Sequence, residues 1–225
     1  MLFRDRRHAG RLLAEKLKPL ERRHDVIVLG LPRGGVPVAY EVARALDAPL
    51  DVFIVRKLGL PAHEELAMGA IASGGVRVLN REIVEALGIS EELVARVAAE
   101  QQRELERRAR EYRGNRPQLD VLGKTVVLVD DGLATGASMR AAIEALRALE
   151  PARLIVAVPV AAPSTCEELG ALVDEIVCAV TPEPFYAVGL WYADFSETSD
   201  EEVRALLGAP LRDENEDAGR LRGLA

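Results

Sequence analysis

Thirteen residues, Val126 to Ser138 (VVLVDDGLATGAS), constrain this chain more than any other stretch. They force a buried strand, two adjacent carboxylates and a small-residue turn into immediate succession. Val126, Val127, Leu128 and Val129 form a continuous apolar run of the kind found in a parallel strand covered on both faces. Asp130 and Asp131 end that run. Gly132, Leu133, Ala134, Thr135, Gly136, Ala137 and Ser138 follow, mostly small or hydroxylated, and then comes the helix-forming run MRAAIEALRAL. Strand, loop and helix N-terminus in that order leave unpaired N–H groups and the positive end of the helix dipole facing the loop. The Thr135 and Ser138 hydroxyls add donors, so the turn is expected to hold a phosphate.

A carboxylate repels phosphate unless something separates them, so Asp130 and Asp131 need another partner. Sugar hydroxyls and a divalent cation both fit. A ribose 5-phosphate satisfies both halves, its hydroxyls donating to the aspartates while its phosphate lies in the turn from Thr135 to Ser138. The purely structural alternative, in which the acids end a strand and Ser138 caps a helix, leaves the match at every position from 126 to 138 unexplained. No G-x-x-x-x-G-K-[ST] run occurs, and Gly30, Gly34 and Gly35 lack the G-x-G-x-x-G spacing of dinucleotide sites.

With four apolar residues, two acids and a T-G-A-S turn, the stretch resembles the signature of the type I phosphoribosyltransferases. It departs from the family at Gly132, where an aliphatic residue is more usual; a glycine there loosens the loop or admits a closer approach. A second stretch, Asp25 to Val38 (DVIVLGLPRGGVPV), again runs from an apolar strand through a glycine turn into a helix starting near Pro37. Arg33, Gly34 and Gly35 supply a guanidinium fork and two backbone amides without side chains in the way. The resemblance makes PRGG the pyrophosphate loop, often built across a cis peptide; a plain βα turn is the alternative.

The resemblance covers about Asp25 to Val180 and implies a fold and an activity. The expected fold is α/β, type I phosphoribosyltransferase-like: a mainly parallel five-stranded sheet flanked by helices, with a helical insertion and a small C-terminal hood. The implied reaction displaces pyrophosphate from phosphoribosyl pyrophosphate by a nitrogenous base, with Mg²⁺, as in nucleotide salvage. Asp130 and Asp131 then hold the ribose, residues 132–138 the 5′-phosphate, and Arg33, Gly34 and Gly35 the pyrophosphate. Arg56 and Lys57, at the carboxyl end of the second strand, are the candidates to neutralise pyrophosphate as it leaves; no direct protein ligand for the metal is assigned. A sensor of the same metabolite, regulating a partner without catalysis, is the rival on this fold. A hydrolase of phosphoribosyl compounds is a third class.

Other features bound the answer. At 225 residues and 49% hydrophobic content, the chain suits one domain with an elaboration. A net charge of −7 gives no overall field favouring nucleic acid or an anionic membrane. The charged start MLFRDRRHAGR does not read as a signal peptide, and no apolar run approaches the ~20 residues that span a bilayer. A cytoplasmic protein acting on small molecules, without nucleic acid or membrane partners, is expected, and the resemblance implies a homodimer. Cys166 and Cys178 are expected to be buried small hydrophobes rather than a disulfide.

Strands are expected at Leu50–Val55, Lys124–Val129, Arg153–Val160 and Glu175–Val180, besides the one in the PRGG stretch. Helices are expected at Asp5–Leu17, Met139–Leu149 and Ser164–Leu172, the last opened by a Ser164/Glu167 capping box. Residues 56–123 form a long excursion: a flexible loop, a hairpin turning at Gly74 and Gly75, and a helix from Ser90 to Tyr112. The loop is expected to close over a ligand, the charged helix end to be a solvated face or packing arm. Residues 181–208 form the hood, where Phe185, Tyr186 and Trp191 are placed to stack on a planar base or to form a local apolar cluster. Residues 209–225 are read as a frayed tail.

Overall fold

Strands that are apolar at every residue can be buried only between two helical layers, and that is what the chain does with them. The computed structural model describes residues 2–60, 63–209 and 211. In order, the elements are α1 (Arg6–Lys16), β1 (Val26–Gly30), α2 (Gly35–Leu46), β2 (Leu50–Val52), β3 (Val55–Leu60), β4 (His63–Ala72), β5 (Val76–Leu79) and α3 (Arg81–Ala86). Next come α4 (Glu91–Arg113), β6 (Thr125–Val129), α5 (Ala137–Arg147), β7 (Arg153–Val160), α6 (Pro163–Gly170), β8 (Glu175–Val180) and α7 (Asp200–Gly208). One five-stranded sheet runs β2-β1-β6-β7-β8 with every neighbouring pair parallel.

Alternation along β6 divides the core in two. Val126 and Leu128 pack with Met139, Ile143 and Leu146 of α5 and Leu169 of α6. Val127 and Val129 face the other way, onto Leu13 of α1 and Val38, Val42 and Leu46 of α2. All four strand residues are fully buried, each worth roughly 1.5–3 kcal/mol in transfer. Chain order reverses between β1 and β6, since β1 leads to β2 on one side while β6 lies on the other. The carboxyl ends of those two strands flank the crevice where open α/β sheets take ligands.

The excursion is a second layer. β3, β4 and β5 form an antiparallel sheet whose hairpin turns at Gly74 and Gly75, both at positive φ (88° and 75°). α4 opens at Ser90, whose Oγ accepts from the Leu93 amide at 3.3 Å. At its far end Arg113 is buried, donating from Nε to both oxygens of Asp51 (2.7 and 2.9 Å) and from Nη2 to the Val52 carbonyl at 2.6 Å. That pair fastens the insertion to the end of β2. α7, capped by Ser199 accepting from the Glu202 amide, packs against α2 and α4.

Four expectations are corrected. The strand expected over Leu50–Val55 stops at Val52, because Phe53 donates to the Gly30 carbonyl while Ile54 donates to Ser73 Oγ, carrying the chain from one sheet to the other. Arg56 and Lys57 consequently lie in β3, not in a loop. α6 has no Ser164/Glu167 box: Ala162 is held extended by its bond to the Leu133 carbonyl, Pro163 takes the first turn, and Ser164 falls too far inside to cap. Cys166 and Cys178 are joined in a disulfide and only half buried, since α6 folds back over β8 and brings the two side chains face to face. Among the described residues no helix is long and apolar enough to cross a membrane. The tail expected from 209 lies outside the described residues, apart from Ala209 and Leu211.

Asp51→Ala is expected to cost about 3–5 kcal/mol in urea unfolding, because it strands the Arg113 charge in the interior. Replacing both partners by apolar residues should recover most of that loss. Equal losses for the single and double variants would show that the pair is not what holds the insertion.

Candidate active site

β6 delivers Asp130 and Asp131 to the crevice, and the chain then bends sharply around them. The Asp131 amide donates back to Asp130 Oδ1 at 2.8 Å. Asp131 Oδ2 accepts from Arg6 Nε at 2.8 Å, and the Asp131 carbonyl accepts from the Tyr192 hydroxyl at 2.6 Å. Burial pushes the Asp130 carboxyl well above the usual range, with the neighbouring Asp131 charge adding to it. Burial also raises Asp131, against the opposing pull of Arg6. The Tyr192 phenol is pushed up by burial and then by Asp131.

Packing of the PRGG turn against these acids explains its glycines. The Pro32–Arg33 peptide is cis. A Cβ on Gly34 would collide with Asp131 Oδ2, and one on Gly35 would stand 2.7 Å from the Val129 carbonyl oxygen and 2.9 Å from Asp130 Cα. The glycines therefore let β1's loop touch β6's loop. The Gly35 amide is not presented to the crevice, because it donates to the Leu31 carbonyl at 3.0 Å. The Arg33 guanidinium pairs with Glu197, on the segment before α7.

Beyond the acids, residues 132–139 wrap one wall of a cavity of about 260 Å³, which Lys57, Asp130 and Val188 complete. Leu133, Gly136 and Met139 are buried anchors, while Ala134, Thr135, Ala137 and Ser138 are exposed. Leu133 bonds through its amide to the Val160 carbonyl and through its carbonyl to the Ala162 amide. Thr165 Oγ1 of α6 donates to the Ala134 carbonyl at 2.6 Å. Gly136 has φ 68°, and a Cβ there would sit 2.8 Å from Thr165 Cγ2. α5 starts immediately after it, so the first-turn amides of that helix meet the cavity. Gly132 is explained by the protein itself: a Cβ would come within 2.5 Å of Val188 Cγ1.

Successive strand residues point to opposite faces, and this separates Arg56 from Lys57. Lys57 lines the cavity. Arg56 turns to α4, donating from Nε to Gln101 Oε1 at 2.7 Å. Of the aromatic candidates, Phe185 and Trp191 pack against the Phe3–Tyr192 cluster, and Tyr186 is 78% exposed. Sequence motifs missed Arg6, Thr165, Val188 and Glu197. Tyr192 and Phe195 carried a signal, as aromatics just after Trp191 in the hood segment.

The family model for the phosphoribosyl transferase domain matches residues 5–188, from Asp5 to Val188. The crystal structure of TT1426 from Thermus thermophilus is 50% identical, covering 92% of this chain and 98% of that one, with a TM-score of 0.82. Two Mycobacterium tuberculosis proteins, from strains CDC 1551 and H37Rv, bear the provisional name phosphoribosyl transferase. Each is 47% identical over 212 residues, or 94% of this chain. The chain spans about half (48%) of the length of these relatives.

The raised Asp130 carboxyl gives a stability prediction. Its stabilising contribution is full in acid, where the group is neutral in both states, and is lost as pH rises through the folded value. Asp130→Asn keeps the Oδ1 acceptor for the Asp131 amide and removes the charge that partial burial disfavours. The ligand-free variant should therefore melt higher than the parent at neutral pH, the gap closing in acid. Calorimetry at both pH values checks this; a variant that melts lower at neutral pH contradicts it.

Proposed function

Because the chain belongs to the phosphoribosyl transferase domain family, we propose that it transfers the 5-phosphoribosyl group of phosphoribosyl pyrophosphate to a nitrogenous base, releasing pyrophosphate. One observation carries this reading: a single cavity has an amide-rich helix start along one wall, the Asp130 carboxylate beside it and the Lys57 ammonium on the excursion. In this reading the 5′-phosphate lies against residues 134–138. The ribose hydroxyls donate to Asp130, with Asp131 behind it.

The base nitrogen forms its bond to the anomeric carbon as the bond from that carbon to the pyrophosphate oxygen breaks, and the base gives up its N–H proton to water. No protein nucleophile takes part. The chain positions the donor and stabilises charge on the departing polyanion. Lys57 serves that role from β3. Arg33 joins it by exchanging Glu197 for pyrophosphate oxygens, beside Gly34 and Gly35. Arg56, bonded to Gln101, holds the strand that carries Lys57.

The donor set suits a Mg²⁺ that arrives chelated by the substrate. Among the described residues no group of three or more His, Cys, Asp or Glu side chains forms a cage, and Mg²⁺ is commonly held through substrate phosphates and water. When bound it neutralises charge on the leaving pyrophosphate. For the base, Tyr186 has the most open aromatic surface, with Phe185 and Trp191 supporting the segment.

A pyrophosphate-release assay with Mg²⁺, phosphoribosyl pyrophosphate and a panel of bases tests the proposal. Release that depends on one class of base supports it. Release without any base points to hydrolysis, and tight donor binding without release points to a sensor. Gly136→Val should abolish donor binding, because the side chain meets both the left-handed backbone and Thr165. Lys57→Ala, which removes a charge-assisted contact of about 1.5–3 kcal/mol, should weaken it roughly ten- to a hundredfold. Unchanged calorimetric affinity in both variants would refute the placement.

A further inference from the structure

Arg6 is drawn into the site from the first turn of α1, 125 residues away from Asp131 in sequence. Its side chain is only 12% exposed. Three contacts hold it: Nε donates to Asp131 Oδ2 at 2.8 Å, Nη1 donates to the Ser196 carbonyl at 2.6 Å, and the guanidinium lies 4.0 Å from the centroid of the Phe195 ring. Phe195 packs on Tyr192 with centroids 5.0 Å apart, and the Tyr192 hydroxyl bonds the Asp131 carbonyl. Asp131 is thus gripped at its carboxylate and at its backbone by one connected assembly. Its Oδ2 is pressed against Gly34, on the turn that carries Arg33. Asp130 alone of the two acids borders the cavity.

Two neighbouring carboxylates beside an anion turn pose an electrostatic problem, since together they repel the phosphates of any donor. An arginine in contact with one of them cancels half of that charge without occupying the cavity. We propose that Arg6 is a positioning residue for the donor site. It holds the Asp131 side chain against Gly34, leaves Asp130 to meet the ribose, and ties both to the 192–196 segment of the hood. The proposal rests on the ribose assignment of the acidic pair made above. The charged or titratable groups facing Asp131 are Asp130 on its own loop, Arg6 on α1 and Tyr192 on the hood.

A plain staple between α1 and the hood would also bury an arginine, and pH separates the two roles. Without the Arg6 charge, Asp131 takes up its proton at a higher pH. The full chain is titrated calorimetrically with phosphoribosyl pyrophosphate and Mg²⁺ from acid to alkaline pH, as the parent and as Arg6→Gln, Arg6→Lys and Phe195→Leu. Arg6→Gln should bind about ten- to a hundredfold more weakly at neutral pH, with the acid limb of binding moved to higher pH. Arg6→Lys should return the limb toward its parental position. Phe195→Leu, which keeps the charge and removes only the ring, should weaken binding with the limb unmoved; this arm also holds if Arg6→Gln fails to fold. A uniform loss at every pH that lysine does not repair makes Arg6 a staple and overturns the proposal, as does parental binding by Arg6→Gln. If the parent itself fails to bind the donor, the ribose assignment falls first and takes this inference with it.

Discussion

Two carboxylates, side by side at the end of β6 and largely withdrawn from water, are the constraint around which the rest of the site is arranged. Burying charge is costly unless it is paired or hydrogen-bonded. The chain offsets that cost with the Asp131 amide on Asp130 and Arg6 on Asp131, while Tyr192 fixes the backbone through the Asp131 carbonyl. The PRGG turn must then come close enough to seal the pair from the side, which leaves no room for a Cβ at Gly34 or Gly35. α1, the hood and the β1 loop are thereby committed to one small volume.

The half of the cavity formed by residues 132–139 is built by a different means. Its amides come from the start of α5, and its shape comes from behind, through Leu133 pinned to β7 and Ala134 pinned by Thr165 of α6. The turn thus sits on two elements of the parallel sheet layer. The wall opposite belongs to the excursion, whose β3 carries Lys57 and whose α4 is fastened by the Arg113–Asp51 pair. One wall is anchored in the sheet core, and the other by the apolar cluster that α4 shares with α2 and α7, together with the buried Arg113–Asp51 pair at the edge strand.

Much of this was legible in residue order. Val126 to Ser138 names a buried strand, a carboxylate pair and a helix start because each depends on neighbours in sequence: side-chain periodicity, apolar continuity and the small residues of a tight turn. The hairpin at Gly74 and Gly75 and the Ser90 cap were legible for the same reason. The capping box expected at Ser164 was lost to a tertiary bond from Ala162 to Leu133, which moved the helix start. Gly132 looked like slack in a loop, and its reason lies far along the chain in Val188.

By itself, the sequence determined the parallel sheet layer, the small-residue turn into α5 and the position of the acidic pair, all of which follow from local conformational preference and burial of apolar runs. Only the tertiary structure decided that Lys57 faces the cavity while Arg56 faces α4, that Cys166 meets Cys178, and that Arg6 reaches Asp131. Those outcomes depend on which faces of distant segments come together. That is set by the packing of helices on the sheet, since a charged or small side chain carries no mark of its eventual partner in its own neighbourhood.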